Sequence, residues 1–261
     1  MSLSTDIKLL ISELGLLKYH VVSFFKGIVL SFKLTVFKTK IFEYEGLKID
    51  SENKFFILPI RKFFVYKFYE STELSILKKT LSSDDKVLEL GTGIGVLAMA
   101  IAKIIGEKNI VTYEASPELI PIIKKNFKLN NLDIRLENKV LVLDSELIRY
   151  RRFYNNDNFF LGSTMENSGN SNFYEVPTEN FFHVLEQEQT TYLLMDIEGE
   201  EVTLLTPPLP SKIKKICMEV HPVYQNTGDA LISDMLLNLM QQGFHLELTK
   251  SVSAHLYLSR N

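Results

Sequence analysis

The sequence is poor in cysteine, in charge of one sign and in long apolar runs, and each shortage excludes a class of protein. A single cysteine, Cys217, cannot form an intramolecular disulfide, so the chain suits a reducing compartment and we expect a cytoplasmic protein. The formal net charge of −3 argues against a dedicated nucleic-acid binder, which would be strongly basic on at least one face. We find no internal repeat and no low-complexity tract. The 261 residues, 46% of them hydrophobic, can bury a sizeable core without disulfides.

The longest uncharged apolar stretches lie near the amino end, at residues 19–25 and 27–32, and Lys26 separates them. Both are far shorter than the roughly 20 apolar residues that a spanning helix needs. We therefore expect no transmembrane segment. We also expect no signal peptide, because no small-residue cleavage site follows an apolar run.

The amino end nevertheless predicts a long amphipathic helix of about 25 residues. Its apolar stripe is formed by Leu10, Leu14, Leu17, Val21, Phe24 and Ile28. Residues 1–42 carry six lysines against two acidic residues, so this end is basic as well as apolar. The stripe needs a cover, which could be the rest of the chain, a second subunit or a lipid surface. We expect a protein contact that includes self-association, with peripheral membrane contact as the alternative.

The period of the apolar residues changes to two between residues 41 and 64, which predicts short strands joined by turns. Together with the amphipathic helix these strands form a predicted amino-terminal extension, residues 1–68. A helix is predicted to follow from Tyr69 to about Thr80, with Ser71 as its cap.

From residue 69 to residue 261 the sequence predicts one α/β domain, because strand-like runs alternate mostly with helical segments. Only four residues separate the last two runs, so these should pair as an antiparallel hairpin on a mostly parallel sheet. A stretch of nearly fifty residues, about 145–190, is predicted to be an insertion with short strands that covers the carboxyl edge of the sheet. The strand-like runs are 86–90, 109–114, 139–143, 192–196, 215–220, 244–249 and 254–259.

A glycine-rich turn, Glu89-Leu90-Gly91-Thr92-Gly93-Ile94-Gly95, follows the first of these runs. Such a turn brings backbone close to a ligand and presents the amino end of a helix to it. A dinucleotide-binding turn would have a small residue where Val96 stands, which disfavours a nicotinamide or flavin enzyme. Glu114 closes the next strand, 23 residues beyond Gly91, where a carboxylate can accept both hydroxyls of a ribose. Asp144 and Ser145 follow the third run, where they either contact an adenine or form a plain turn.

The residues from Glu89 to Gly95 resemble motif I of the Rossmann-like, class I methyltransferases that use S-adenosylmethionine. Residues 193–201, Leu-Leu-Met-Asp-Ile-Glu-Gly-Glu-Glu, resemble the [KM]-[IM]-D-[IV]-E-G-x-E signature of the FkbM family within that class. Residues 69–73 resemble the family's Y-E-x-x-E, and residues 219–221 resemble its E-x-H. The resemblance covers about residues 65–225. Two departures are the glutamate at position 89, where aspartate is commoner, and Leu-Gly-Thr-Gly in place of a V-G-A-N type turn.

The resemblance implies a Rossmann-like fold and methyl transfer from S-adenosylmethionine to an oxygen of a small molecule, a sugar or a natural product. The net charge separately leads us to expect no nucleic-acid partner. We expect the cofactor to be bound by residues at three strand ends and at the start of the helix that precedes them. These residues are Glu70, Glu89, Gly91, Thr92, Gly93, Gly95, Glu114, Ala115, Asp144 and Ser145.

Three side chains are candidates for removing the acceptor's proton: Asp196, Glu198 and His221. The first two end the fourth strand and the third follows the fifth, at the sheet edge where ligands bind. Glu200 and Glu201 are expected only to favour the helix dipole. A divalent metal held by Asp196, Glu198 and Glu219 is an alternative, but no ligand spacing specifies it and we assign no metal.

Two other functions remain open at this stage. One is a protein or RNA methyltransferase on the same fold, although no N-P-P-Y-type motif follows the fourth strand, where Asp196-Ile197-Glu198-Gly199 stands instead. The other is a non-catalytic protein that binds the cofactor or serves as a scaffold.

Overall fold

A computed structural model describes residues 40–53, 56, 58–65, 67–154, 173–197, 199–221, 228–251 and 254–261. The amphipathic helix predicted near the amino end lies outside these residues. The chain divides into two compact units, residues 1–71 and 72–261, which are described separately below. Among the helices within the described ranges, none has the length and apolar character needed to span a membrane.

The described part of the first unit is a β-hairpin followed by a helix. Strand β1 (Ile41–Tyr44) pairs antiparallel with β2 (Leu47–Asp50), and helix α1 spans Leu58–Val65. Glu45 and Gly46 both have positive φ values in the two-residue turn, which is the geometry of a tight hairpin. Phe64 stacks on Tyr69 with ring centroids 4.3 Å apart, and the Tyr44 hydroxyl donates to the Tyr69 carbonyl at 2.6 Å.

The strand prediction for this region is correct for residues 41–50 and wrong for residues 58–65, which are helical. Ile60 and Phe64 are both buried and lie four residues apart, which places them on one face of the helix. The prediction followed a period of two and so missed the spacing of these two residues.

The second unit contains a seven-stranded sheet that confirms the predicted fold class. Its strands are β3 (Val87–Leu90), β4 (Ile110–Tyr113), β5 (Arg135–Glu137), β9 (Tyr192–Met195), β10 (Lys215–Glu219), β11 (His245–Leu246) and β12 (His255–Ser259). Their spatial order is β5-β4-β3-β9-β10-β12-β11, and all neighbours are parallel except for β12, which is antiparallel to both β10 and β11. The last two strands form the predicted antiparallel hairpin.

The central strands are fully buried and mostly apolar, as in a sheet covered on both faces by helices. The helices that precede or connect these strands contribute buried apolar residues to the core. They are α2 (Ser71–Thr80), α3 (Val96–Ile105), α4 (Ile120–Leu129), α5 (Phe181–Gln187), α6 (Glu201–Leu205) and α7 (Gly228–Gln241). The helix predicted to run from Tyr69 to about Thr80 corresponds to α2, which begins two residues later. Ser71, predicted as its cap, is its first helical residue.

The order of the strands places a crevice at the centre of the sheet. From β3 the chain proceeds outward through β4 to β5, and it then returns to β9 on the other side of β3 and continues to β10. The connections leave β3 and β9 in opposite directions, and ligands of open parallel sheets bind at the carboxyl ends of such strands. The predicted cofactor turn follows β3, and the predicted catalytic residues follow β9 and β10.

One predicted strand of the parallel sheet is misplaced. Residues 139–143 contain strand β6 (Val140–Val142), which pairs with β8 (Phe173–Asn180) in a separate three-stranded sheet. The third strand of the main sheet is β5 instead. The prediction missed β5 because Arg135 and Glu137 make it polar, which is common in an edge strand.

The insertion contains short strands, as predicted. Its strand β7 (Tyr150–Tyr154) is antiparallel to β8, and residues 155–172 between them lie outside the described residues. The Tyr174 hydroxyl donates to Glu118 at 2.6 Å, beyond the end of β4. Arg151 lies 4.0 Å from Glu200, beyond the end of β9. The insertion therefore contacts residues that follow two strands at the carboxyl edge.

Candidate active site

The glycine-rich turn after β3 depends on backbone conformations that favour glycine. Gly91, Gly93 and Gly95 have φ values of +88°, +58° and +89°. A Cβ atom on Gly91 would lie 2.0 Å from the backbone oxygen of Asp196, and one on Gly95 would lie 2.8 Å from the Phe127 ring. These glycines therefore let β3 and helix α3 approach the end of β9 and helix α4 more closely than any other residue would allow.

Gly91 also connects the two halves of the site. Its amide donates to the Tyr113 carbonyl at 3.0 Å, and the Asp196 amide donates to the Leu90 carbonyl at 2.9 Å. The turn that is predicted to bind the cofactor is therefore hydrogen-bonded to β4 on one side and to the end of β9 on the other. The position of Asp196 depends directly on this contact.

Glu114 lies just beyond β4 and is only 6% exposed. Its two carboxylate oxygens accept hydrogen bonds from the backbone amides of Gly93, at 3.0 Å, and Ser116, at 2.8 Å. Burial raises the pKa of Glu114 to about 7, although these backbone hydrogen bonds oppose the rise. A carboxylate oxygen can accept more than one hydrogen bond, so Glu114 can also accept hydroxyl groups of a ligand.

Asn138 is a supporting residue that sequence reasoning missed. Its side-chain amide donates to the carbonyls of Glu114, at 2.8 Å, and Ala115, at 3.1 Å. It thereby fixes the backbone that carries two predicted cofactor residues. An asparagine between two short strands gives no signal in the sequence beyond that of an ordinary turn.

Glu89 and Thr92 are buried beneath the turn. Each is 1% exposed, the Thr112 hydroxyl donates to the Glu89 carboxylate, and the Thr92 hydroxyl donates to the Tyr113 carbonyl at 3.2 Å. Burial raises the pKa of Glu89 to about 8. Both side chains point into the domain, so a ligand at the turn would meet the backbone of Thr92 and not its hydroxyl.

The remaining predicted cofactor residues lie in different surroundings. Asp144 is exposed, and its carboxylate accepts from the backbone amides of Glu146, at 3.2 Å, and Leu147, at 3.1 Å. These bonds form a plain turn, which was the alternative to adenine contact for Asp144 and Ser145. Ser145 is half-buried in the same turn. Glu70 belongs to the first unit. The roles of both acids in cofactor binding stay predictions.

Asp196 and His221 come together at the carboxyl edge, as their positions after β9 and β10 require. The Nε2 atom of His221 lies 3.9 Å from an Asp196 oxygen and 3.8 Å from a Glu219 oxygen. These separations are longer than hydrogen bonds but short for charged groups. Glu198, the third predicted catalytic residue, lies outside the described residues.

Glu201 has a different role from the one expected of it. It is fully buried at the start of α6, and its carboxylate accepts from the amides of Ile197, at 2.9 Å, and Gly199, at 2.8 Å. It also lies 3.7 Å from Nδ1 of His221. The prediction that Glu201 only favours the helix dipole is therefore wrong, because the carboxylate holds the turn after β9 and faces the imidazole.

Glu73, His255 and Glu219 form a second group next to His221. The Nε2 atom of His255 lies 2.8 Å from Glu73 and 3.3 Å from Glu219. Hydrogen bonds to these two carboxylates raise the pKa of His255 to about 10, and the bond from His255 is the main cause that lowers the pKa of Glu219. Sequence reasoning missed His255, since nothing near it marks a site, and treated Glu73 as part of a motif.

Two sets of atoms at this edge are close enough together to hold a divalent cation. In each set the ligand atoms lie within 4.8 Å of one another, and Glu219 belongs to both. One set adds Glu73 and His255, where a protonated imidazole already supplies the positive charge. The other adds Asp196 and His221. Of the three residues predicted for a metal, it therefore contains Asp196 and Glu219, whereas Glu198 lies outside the described residues.

Comparison with known proteins gives a match over the part of the chain that contains the turn and Glu114. Residues 70–153 match the family profile of ribosomal protein L11 methyltransferases. The ribosomal protein L11 methyltransferase of Thermotoga neapolitana is 28% identical over 80 residues, which is 30% of this chain and 30% of that protein. A candidate protein N5-glutamine methyltransferase of Methanocaldococcus jannaschii is 42% identical over 69 residues, 25% of this chain and 34% of that one. The chain thus spans about a third of the length of these relatives.

Solved structures of methyltransferases also align with the chain. The ribosomal protein L11 methylase of Lactobacillus delbrueckii subsp. bulgaricus aligns with a TM-score of 0.43 and 17% identity, over 75% of this chain and 79% of that one. An O-methyltransferase of Bacillus cereus in complex with S-adenosylhomocysteine aligns with a TM-score of 0.39 and 14% identity, over 73% and 79%.

These comparisons change one expectation. The sequence relatives whose names state a substrate act on proteins, so the prediction of a small-molecule acceptor is wrong. It came from the resemblance of residues 193–201 to a signature, and the matched segment ends before those residues. The resemblance to methyltransferases that use S-adenosylmethionine agrees with the matched family, whereas the resemblance to the FkbM family stays a prediction.

Proposed function

We propose that this protein is an S-adenosylmethionine-dependent methyltransferase that methylates a protein. The observation that carries the proposal is the match of residues 70–153 to a family of protein methyltransferases, over the segment that includes the glycine-rich turn and Glu114. The geometry of that segment fits the cofactor. The glycines leave the turn open to close approach at the amino end of helix α3, and the Glu114 carboxylate at the next strand end can accept ribose hydroxyls.

The charges beyond β9 and β10 favour a protonated amine as the accepting group. In the described part of this edge, Arg151 lies near Glu200, and four further carboxylates surround one imidazole that is held protonated, so the edge attracts cations and repels phosphates. The carboxylates belong to Glu73, Asp196, Glu201 and Glu219. The Asp196 side chain is 42% exposed, which leaves it accessible to an incoming lysine side chain or a chain terminus.

S-adenosylmethionine supplies a methyl group on a positively charged sulfur, which a nitrogen lone pair accepts as the carbon–sulfur bond breaks. An ammonium group has no free lone pair, so it must first lose a proton. His221 is positioned to take that proton on Nε2, and Asp196 and Glu219 stabilise the positive charge that the imidazole gains. Glu201 holds the turn after β9 and faces Nδ1 of the same ring.

The experiment is a transfer assay with S-adenosylmethionine labelled in the methyl group. The acceptors are purified ribosomal protein L11 and a set of peptides with free or blocked amino groups. We expect acid-stable and base-stable label in peptides that carry a free amine and none in their blocked counterparts. Gly93→Val serves as the inactive control. Label in no protein or peptide, with cofactor binding intact, would contradict a protein acceptor.

A further inference from the structure

A continuous series of side chains leads from helix α2 across the sheet to His221. Glu73, in the first turn of α2, is 2.8 Å from His255 at the start of β12. His255 is directly across from Glu219 in the register of β10 and β12. The same ring nitrogen of His255 is 3.3 Å from Glu219. Three elements that are distant in sequence therefore converge on a single imidazole.

The two oxygens of Glu219 face different partners. Oε2 faces His255, whereas Oε1 lies 3.8 Å from Nε2 of His221. A carboxylate is planar, so the ion pair with His255 that holds Oε2 also sets the direction of Oε1. The Glu219 side chain is 27% exposed, and without His255 it could turn toward solvent.

Glu73 gives this arrangement a rigid support. Its side chain is 8% exposed and therefore cannot move to water to satisfy its charge. A buried carboxylate needs a partner, and His255 lies within hydrogen-bond distance of it. The position of the imidazole between the two carboxylates thus follows from Glu73 on one side and from the strand register on the other.

We propose that Glu73 and His255 are positioning residues, which hold Glu219 with one oxygen directed at His221 and at the edge where the acceptor binds. This role rests on the proposed function, since it gives Glu219 a purpose at the acceptor site. Neither residue touches the reacting atoms, and neither forms or breaks a bond.

The first test needs no acceptor. The chain has five histidines, so a spectrum of protein labelled with ¹⁵N-histidine is simple enough to follow the ring of His221. His255→Phe removes the hydrogen-bond donor and should shift the His221 ring signals, because Glu219 is released. His255→Gln keeps a donor and should leave them near their original positions. His245→Phe is the matched control, since His245 is exposed on β11.

Glu73→Gln extends the test to the supporting residue and covers the case in which His255→Phe does not fold. It should shift the His221 signals in the same direction as His255→Phe. A purely structural role for His255 would lower the midpoint of thermal unfolding and leave His221 unchanged. Unchanged His221 signals in folded His255→Phe or Glu73→Gln, or equal shifts in His255→Gln and His255→Phe, would overturn the proposal.

The second test is a double-mutant cycle with Glu219→Gln, assayed on the amine peptide used for methyl transfer. We expect His255→Phe to lower kcat/KM for the peptide roughly ten- to hundredfold, with S-adenosylhomocysteine affinity unchanged. In the Glu219→Gln background the same substitution should have little further effect. If His255→Phe lowered kcat/KM by the same factor in the wild type and in Glu219→Gln, the positioning role would be overturned. A wild type that labels no peptide contradicts the proposed function, while the spectra still decide the role of His255.

Discussion

Gly91→Ala is the substitution whose effect can be worked out most directly from the structure. The added Cβ would lie 2.0 Å from the backbone oxygen of Asp196 and 2.9 Å from its carbonyl carbon. Real Cβ contacts of this kind are not shorter than about 3 Å, so β3 or β9 must move by roughly 1 Å. Both strands are central and buried, so neither can move without disturbing the core.

The cost has two parts. A non-glycine residue at a φ of +88° costs about 1–2 kcal/mol, and forcing an atom into a packed interior costs about 1–3 kcal/mol more. Gly243 provides the matched control because its φ is +87° and a Cβ atom there would meet nothing within 4 Å. Gly243→Ala should therefore cost only the first part.

The assay is urea unfolding of the wild type and both variants, followed by circular dichroism. We expect Gly91→Ala to lower the free energy of unfolding by about 2–5 kcal/mol and Gly243→Ala by about 1–2 kcal/mol. Because the displaced group is Asp196, folded Gly91→Ala should also lose methyl transfer. Equal destabilisation by the two substitutions would refute the close approach of the turn to the end of β9.

Further substitutions test other parts of the site. Glu114→Ala should weaken S-adenosylmethionine and S-adenosylhomocysteine alike by about 1.5–3 kcal/mol in calorimetric titrations, and unchanged affinities would place Glu114 outside the ribose site. The pKa of Glu114 is raised to about 7, and ligand hydroxyls bind the ionised carboxylate. The affinity of the wild type for S-adenosylhomocysteine should therefore increase from pH 6 to pH 8. Glu114→Gln should remove this trend. The pKa of Glu89 is raised from 4.5 to about 8, so its contribution to stability is present below pH 4.5 and is lost as the pH rises to 8. In Glu89→Gln the free energy of unfolding should therefore fall less over that range than in the wild type. Identical pH profiles of the two proteins would contradict the raised pKa. Lys215→Met should lower the free energy of unfolding by about 1–3 kcal/mol, since it leaves buried Asp85 without the ammonium 2.7 Å away. Lys214→Met is the control and should have little effect. Equal destabilisation by the two substitutions would count against this ion pair.

The parts of the fold that the sequence predicts are those with a strong local pattern. The central strands are short apolar runs between helices, so their parallel arrangement follows from burial on both faces. The antiparallel hairpin follows from the length of the connection between β11 and β12. Strand β5 was missed because its polar edge residues resemble a loop, and helix α1 was missed because its buried apolar residues were assigned the wrong period.

In the site, position along the strands was enough to bring Asp196 near His221 and Glu114 near the glycine-rich turn. What local reasoning could not supply was the inward direction of Glu89 and Thr92, the buried hydrogen bonds of Glu201, and the pairing of Glu73 with His255. Each depends on a partner that is close in space or on a burial that neighbouring residues do not reveal. The acceptor was predicted from a short motif, and matching a longer segment gave a different substrate class.

The most direct measurement is calorimetric titration of the full chain with S-adenosylhomocysteine, together with the Gly93→Val variant. Gly93 has a φ of +58°, and its amide binds Glu114, so a branched side chain there would disrupt the turn at the ribose carboxylate. We predict saturable binding of one ligand per chain for the wild type and no binding for Gly93→Val, which should still unfold cooperatively. A wild type that unfolds cooperatively but binds neither S-adenosylhomocysteine nor S-adenosylmethionine would contradict the assignment as a methyltransferase.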